Sequence, residues 1–354
     1  MKKIILTGGG TAGHVTPNLA LLPKLKEKNY DVLYLGSIAG MEAGMVKRAG
    51  IPYRGIATGK LRRYFDLKNF TDPFRVIKGF FDAGRIIREY RPDVVFSKGG
   101  FVAVPVTAAA WINRVPVIAH ESDMTPGLAN RIAAPFAKKI CCNFPETMAL
   151  LPKKKAILSG SPIRAEILQG SREEGLKKLG FDGVKPVLLV IGGSLGAQHI
   201  NTAVRGVLET LLGEFDLIHI CGKGNLDQTK KDIPGYRQFE FVAEDLKDYF
   251  AAADIFISRA GANAICELLA LKKPNLLIPL SASASRGDQL LNAASFEKQG
   301  FSMVLQEEDM TGERLVSDVR KLWETREQYV HAMEKSGLSD GVSIIIHEIE
   351  TVAK

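Results

Sequence analysis

With 354 residues, 46% hydrophobic and 24% charged, the chain is long enough for two cores and too apolar to be a disordered segment. No apolar run reaches the roughly 18 residues that cross a bilayer, and the formal charge of +8 calls for an acidic partner without choosing among nucleic acid, anionic lipid and a phosphorylated substrate. Cys141, Cys142, Cys221 and Cys266 lack C-x-x-C spacing, which predicts reduced structural thiols of a cytosolic protein rather than a disulfide framework or a metal site.

Met1-Lys2-Lys3 ahead of Ile4-Ile5-Leu6 has the start of a secretion signal, but the apolar segment is short and runs into glycines, so residues 3–7 read as a first strand. Gly8, Gly10 and Gly13 then open a helix near Pro17 at the spacing of a dinucleotide turn, where missing side chains let a ligand approach the backbone. A dinucleotide site also wants an acidic residue at the end of the second strand. Residues 31–35 end instead in Gly36-Ser37, which counts against NAD. His14, at the mouth of the glycine turn, is a candidate general base. Residues 60–91 carry nine basic against four acidic side chains. Phe70, Phe74, Phe80 and Phe81 beside Arg75 and Lys78 predict a helix that buries rings in a lipid headgroup layer while its cations meet anionic lipid. The competing reading is an amphipathic helix packed on its own domain.

Residues 93–97 form a buried strand, Gly99-Gly100 a second glycine turn and 104–112 a helix. The strand over 116–119 leads into His120-Glu121-Ser122-Asp123, four polar residues on the ligand side of an α/β domain, and a helix opens over 125–130. After a strand at 157–159 comes a polar turn that closes the first domain. Residues 186–191 restart the pattern, and Gly192-Gly193-Ser194 opens a helix carrying Asn201, with a hydroxyl and an N–H for phosphate at Ser194. Strands follow over 217–222 and 239–242, and a helix over 246–251. The stretch from 253 to 293 is a strand, a tight turn at Gly261, a helix from Ala262-Asn263, a strand over 275–279 and a polar loop into another helix. Its first helix offers free N–H groups and a positive dipole end to a diphosphate. Glu267 is placed to hold a ribose diol, and the amides of Gln289 and Asn292 to meet sugar hydroxyls.

The strings GGGTAGHVTPNLAL (8–21), KGGF (98–101), HESD (120–123), GSPIR (160–164), GGSLGA (192–197), RAGANAICE (259–267) and RGDQLLNA (286–293) together resemble the MurG family of bacterial cell-wall N-acetylglucosaminyltransferases, in glycosyltransferase family 28. The chain departs from the usual pattern with Ala12 for Gly, Phe101 for Tyr, Ser122-Asp123 for Gln-Asn, and Ser161 and Ile163 for Asn and Val. The third departure is associated with low-GC Gram-positive members. Asp123 can accept from a sugar hydroxyl but cannot donate as an amide would.

The resemblance implies an α/β GT-B fold, two Rossmann-like doubly wound domains facing a cleft. Residues 1–162 bind acceptor and membrane, 163–337 bind the UDP-sugar, and a C-terminal helix over 338–354 packs back on the first domain. It implies UDP-N-acetylglucosamine contacts at Thr11, Ala12, Gly13, Asp123, Arg164, Ser194, Val242 (through its backbone, to uracil), Ala262, Asn263, Ala264, Ile265, Cys266, Glu267, Gln289 and Asn292. Gly9, Gly10, Gly13, Gly99 and Gly100 form acceptor diphosphate loops. The implied reaction is one-step, inverting transfer of N-acetylglucosamine to the muramoyl 4-hydroxyl of lipid I, giving lipid II, on the cytoplasmic face of the cell membrane. His14 is the favoured base, with Glu121 and Asp123 as rivals. No Asp-x-Asp occurs, so no cofactor is required on this reading, a divalent cation being at most stimulatory. Implied partners are UDP-N-acetylglucosamine, lipid I, anionic inner-leaflet lipid and other cell-wall synthesis proteins, but no nucleic acid. The alternatives are a UDP-sugar 2-epimerase of the same fold, which the aromatic-basic segment disfavours, and a noncatalytic membrane-binding homologue, which does not explain an otherwise complete site. A dinucleotide oxidoreductase lacks its ribose acid.

Overall fold

The computed structural model describes residues 1–59, 68–192, 197–281, 287–338 and 340–353, except the side chains of Ala12 and 68–71. Ser194 and the start of the basic segment therefore lie outside the described residues. The chain divides into two compact units, Met1–Arg164 with Asp340–Lys354 and Ala165–Ser339. Arg164, expected in the second domain, ends the first unit.

Unit 1 is built on β1 (Lys2–Thr7), β2 (Tyr30–Ser37), β3 (Tyr53–Ile56), β4 (Val94–Ser97), β5 (Val117–Glu121), β6 (Lys139–Cys142) and β7 (Ala156–Leu158). They form one sheet in the order β3-β2-β1-β4-β5-β6-β7, each neighbouring pair parallel. Parallel strands are covered on both faces, which is why they read as continuous apolar runs. Successive side chains point to opposite faces. Ile4 and Leu6 join Phe96 and Ile118 in one layer, under Ile345, Ile346, Ile349 and Val352 of the C-terminal helix Gly341–Val352. Ile5 joins Leu33, Val95 and Val117 in the other layer, under the helices Lys68–Tyr90 and Ala103–Ile112. The sequence reading ended β5 at residue 119. The strand runs on through His120 and Glu121, both buried, so these residues are set by sheet hydrogen bonds rather than by a loop.

Unit 2 repeats the plan with β8 (Val187–Ile191), β9 (Asp216–Ile220), β10 (Tyr236–Phe239), β11 (Ile255–Ser258), β12 (Asn275–Leu277) and β13 (Met303–Val304), in the order β10-β9-β8-β11-β12-β13 and again parallel. The strand expected over 239–242 lies earlier, which leaves Val242 in the turn beyond it. Asn201, on the helix Gln198–Gly206, belongs to a buried chain rather than to a ligand surface. Tyr236 Oη lies 2.8 Å from His219 Nδ1, His219 Nε2 2.9 Å from Asn201 Oδ1, and Asn201 Nδ2 donates to the Cys221 carbonyl at 2.9 Å. Both ring nitrogens are used by one neutral tautomer, and burial holds the His219 imidazole down at about 3. The four cysteines are free and buried.

Candidate active site

In each sheet the strand order reverses at one place, between β1 and β4 and between β8 and β11. Ligands of open α/β sheets bind beyond the carboxyl ends of the strands at such a switch point, where adjacent loops diverge. The glycine turns after β1 and β4 stand at the first reversal and the turn after β11 stands at the second.

At the first reversal the two glycine turns touch. A Cβ on Gly100 would lie 2.4 Å from the Gly9 carbonyl oxygen, and Gly100 has φ +83, so only glycine fits there. The ring of Phe101 covers Gly10, a packing task that needs no hydroxyl. From below, Tyr34 donates to the Gly8 carbonyl at 2.8 Å, and the buried Glu42 carboxylate accepts from the Ser37 N–H at 2.8 Å and the Gly10 N–H at 3.5 Å. Sequence reasoning missed Glu42; two acidic-free glycine turns near an isolated Met41-Glu42 gave little sign of it.

His14 closes the one-turn helix Ala12–His14. Its Nδ1 lies 3.1 Å from Thr11 Oγ1, and Asn18 Nδ2 donates to its carbonyl at 3.4 Å. Burial first, then the charge of Lys98, lowers the imidazole to about 4, against a hydrogen bond with Gly9 that raises it. His14 is thus uncharged at neutral pH and able to receive a proton.

Glu121 is differently employed. Its Oε1 accepts from the Asp123 N–H at 3.0 Å, and its Oε2 from the Gly127 N–H and Asn130 Nδ2, both at 2.9 Å. This carboxylate fixes the loop from β5 to the helix Leu128–Ala133 through three accepted hydrogen bonds. These bonds give Glu121 a structural task in the loop that His14 does not have. Asp123 is half-buried in the same loop. His120 is fully buried and meets the Gly160 carbonyl through Nε2 at 3.0 Å, with burial and then Lys98 driving its pKa well down.

At the second reversal Gly261 precedes the helix Ala262–Ala270, which has no side-chain cap. The first-turn N–H groups of Ala262, Asn263 and Ala264 therefore point to the strand ends. Ile265 donates to the Gly261 carbonyl at 3.1 Å inside the helix, and the Ile265 and Cys266 side chains are buried. Glu267 is half-buried one turn in. Gln289 Oε1 accepts from the Leu280 N–H at 3.1 Å. Asn292 is 1% exposed, and its Nδ2 donates to the Ala260 carbonyl at 3.1 Å, so it braces the turn from beneath. Arg259 does likewise, donating to the Ile278 and Pro279 carbonyls at 3.1 and 3.2 Å and pairing with Glu307. The Val242 side chain is buried, which leaves its backbone for recognition.

Along Lys68–Tyr90 the aromatic residues part company. Phe80 packs partly into the core beneath the helix, whereas Phe74 and Phe81 are 74% and 66% exposed. Ile77, unremarked in the sequence, is 55% exposed between them. Positions 74, 77, 78 and 81 share one helical face, and Arg75 and Lys78 are exposed there too. The Phe70 side chain lies outside the described residues. No helix among the described residues is long and apolar enough to cross a membrane.

The glycosyltransferase family 28 N-terminal domain matches residues 4–142, and the glycosyltransferase family 28 C-terminal domain matches residues 187–347. A protein of Lachnospira eligens, named UDP-N-acetylglucosamine–N-acetylmuramyl-(pentapeptide) pyrophosphoryl-undecaprenol N-acetylglucosamine transferase, is 59% identical over 354 residues, 100% of both chains. A Clostridium botulinum protein of the same name is 56% identical, again over 100% of both. Among solved structures, MurG of Acinetobacter baumannii superposes with a TM-score of 0.76 at 25% identity, covering 99% of this chain and 100% of that one.

Proposed function

The chain belongs to glycosyltransferase family 28, and from that premise we propose how its residues divide the transfer of N-acetylglucosamine from UDP-N-acetylglucosamine to undecaprenyl-pyrophosphoryl-N-acetylmuramyl-pentapeptide. The activity is that of an N-acetylglucosaminyltransferase of peptidoglycan synthesis, converting lipid I to lipid II; the epimerase and noncatalytic alternatives are not favoured. The observation that carries it is full-length likeness at 59% identity to a transferase of that name.

Donor binding falls to unit 2. The first turn at Ala262, Asn263 and Ala264, in a helix without a side-chain cap, offers a helix dipole and backbone N–H groups to the UDP diphosphate, stabilising negative charge as it develops on the leaving group; Ser194 is assigned to the same diphosphate. Glu267 accepts from the ribose hydroxyls, the Val242 backbone reads uracil, Gln289 contacts the nucleotide-sugar, and Asn292 braces the turn beneath; Arg164, the last residue of the first stretch of unit 1, is the one nucleotide-sugar contact assigned outside unit 2 in this set. In unit 1, Gly9, Gly10, Gly13, Gly99 and Gly100 receive the acceptor diphosphate, with Thr11 and Ala12 beside them and Asp123 accepting from a sugar hydroxyl. His14 takes the 4-hydroxyl proton as that oxygen attacks the anomeric carbon, so an α-linked donor gives a β-linked product. Helix dipoles and hydrogen bonds take the place of a metal on the diphosphate. Phe74, Ile77 and Phe81, with Arg75 and Lys78, dock the enzyme peripherally on anionic lipid of the cytoplasmic leaflet, beside other proteins of wall synthesis.

The experiment is transfer of labelled N-acetylglucosamine from UDP to a lipid I analogue with EDTA present. Label in the lipid product supports both reaction and metal independence. Transfer abolished by EDTA and restored by a divalent ion would overturn the metal-free mechanism. Donor binding without transfer would overturn the assigned acceptor.

A further inference from the structure

Lys98 follows β4 directly and is 1% exposed, an unusual place for an ammonium group. Its N–H donates to the Thr7 carbonyl at 2.9 Å, and its Cβ stands 3.2 Å from where a Gly8 side chain would begin, so its backbone is wedged under the first glycine turn. The next two residues, Gly99 and Gly100, are the second turn, both with positive φ. Nζ reaches across the end of β5 to donate to Ser122 Oγ, and Asn143 Nδ2 holds the Ser122 carbonyl at 3.0 Å. Ser122 is one of the two positions at which this chain departs from the His-Glu-Gln-Asn pattern, exchanging an amide for a hydroxyl that receives the lysine.

We propose that Lys98 is a positioning residue of the transfer reaction, a fixed buried cation that draws the acceptor's diphosphate onto the two glycine turns. The inference rests on the transferase reading above and adds a positive charge to a loop set whose neutral N–H groups are otherwise backed by the buried Glu42 carboxylate. In surroundings of low dielectric a fixed charge acts over a longer distance than in water. Being buried, it need not touch the ligand to favour it. Its bond to Ser122 satisfies a donor while leaving the sign of the charge unchanged.

The same charge acts on the base. The groups facing His14 are Thr11 and the Gly9 carbonyl from its own turn, Asn18 from the helix Thr16–Ala20, and Lys98 from the end of β4. Glu42 lies behind Gly9 and Gly10, and on β5 His120 also feels Lys98 while Glu121 is bound to its own loop. Of these, Lys98 supplies the repulsion that, after burial, keeps the imidazole unprotonated. An arriving diphosphate offsets that repulsion, so His14 gains basicity only once the acceptor is present. Free enzyme and acceptor complex then differ in the proton affinity of one histidine.

Full-length Lys98→Met and Lys98→Gln test this against wild type, with melting temperature and donor binding as checks on folding. Glutamine can still bond Ser122 but carries no charge. Both variants are expected to raise the KM for a lipid I analogue about 10-fold, the scale of one partly screened charge, with the KM for UDP-N-acetylglucosamine within about 2-fold. Both should also move the acidic limb of the turnover profile to higher pH. Restoration of wild-type acceptor KM by Lys98→Gln would show that the Ser122 bond alone matters and overturn the proposal, as would an unchanged KM and pH limb in both variants. Wild-type enzyme that transfers normally while the variants match it sinks this inference alone; wild-type enzyme that transfers nothing sinks the transferase reading with it.

Discussion

His14 and Glu121 were rivals in the sequence because both are titratable and both follow strands at the ligand edge. Hydrogen bonding separates them. The Glu121 carboxylate accepts from two N–H groups and an asparagine and so holds its own loop, whereas His14 carries no such structural load and is held uncharged by burial and by Lys98. His14→Ala is expected to lower kcat ~100-fold or more with donor affinity preserved, as read by steady-state kinetics beside calorimetry of UDP-N-acetylglucosamine. In the wild-type free enzyme the imidazole becomes protonated only as pH falls through about 4. The acidic limb of kcat/KM should therefore lie well below the ordinary histidine range, and a limb near 6.5 would remove His14 from the role. For the donor, Glu267→Ala should weaken binding by ~2 kcal/mol, the loss of a charge-assisted bond to the ribose. Unchanged donor affinity would end that assignment.

The helix Lys68–Tyr90 shows how an element divides between stability and function. Its inner face, with Phe80, Ile86 and Ile87, belongs to the core layer around Ile5. Its outer face leaves Phe74, Ile77 and Phe81 in solvent although burying them would be favourable. A double Phe74→Ser, Phe81→Ser variant is expected to lose most of its binding to anionic vesicles while its melting temperature and its turnover of a water-soluble acceptor stay near wild type. Vesicle binding that survives the double change would return the helix to a purely structural role. Both aromatic types were visible in the sequence, but only the packing tells Phe80 from Phe81, because the two differ by one residue and by roughly 100° around the axis.

For the whole chain, buried histidines connect the core to pH. Burial is the leading cause that holds His14, His120 and His219 below the ordinary imidazole value. A group whose folded pKa is depressed binds its proton in the unfolded chain first, so stability falls as pH drops below about 6.5 and continues to fall toward the folded values. The melting temperature at pH 5 should accordingly be lower than at pH 7. An equal or higher value at pH 5 would mean that these histidines are not buried neutral.

The two halves, most strands and the switch-point turns were legible in the sequence because they depend on local facts: apolar runs between glycines, helix starts and the spacing of short polar strings. His14, Glu267 and the glycine turns owe their place to strand–turn–helix order alone, which fixes them at the carboxyl edge of a sheet. Asn292 reads as a ligand residue by the same test, and Arg259 and Asn201 lie in or just after the polar strings at the strand ends. Each instead closes a buried polar contact with a carbonyl or histidine distant in sequence, at Ala260, Ile278 and His219. Strand β3 (Tyr53–Ile56) and β6 (Lys139–Cys142) also went unseen, the first an edge strand with exposed residues and the second a buried strand whose cysteine pair reads first as thiol chemistry. Lys98 reads as a surface lysine in any local window. Only the pairing of β4 with β1 and β5 buries it between the first glycine turn and Ser122, since burial is set by what neighbouring strands bring alongside and not by the residue itself.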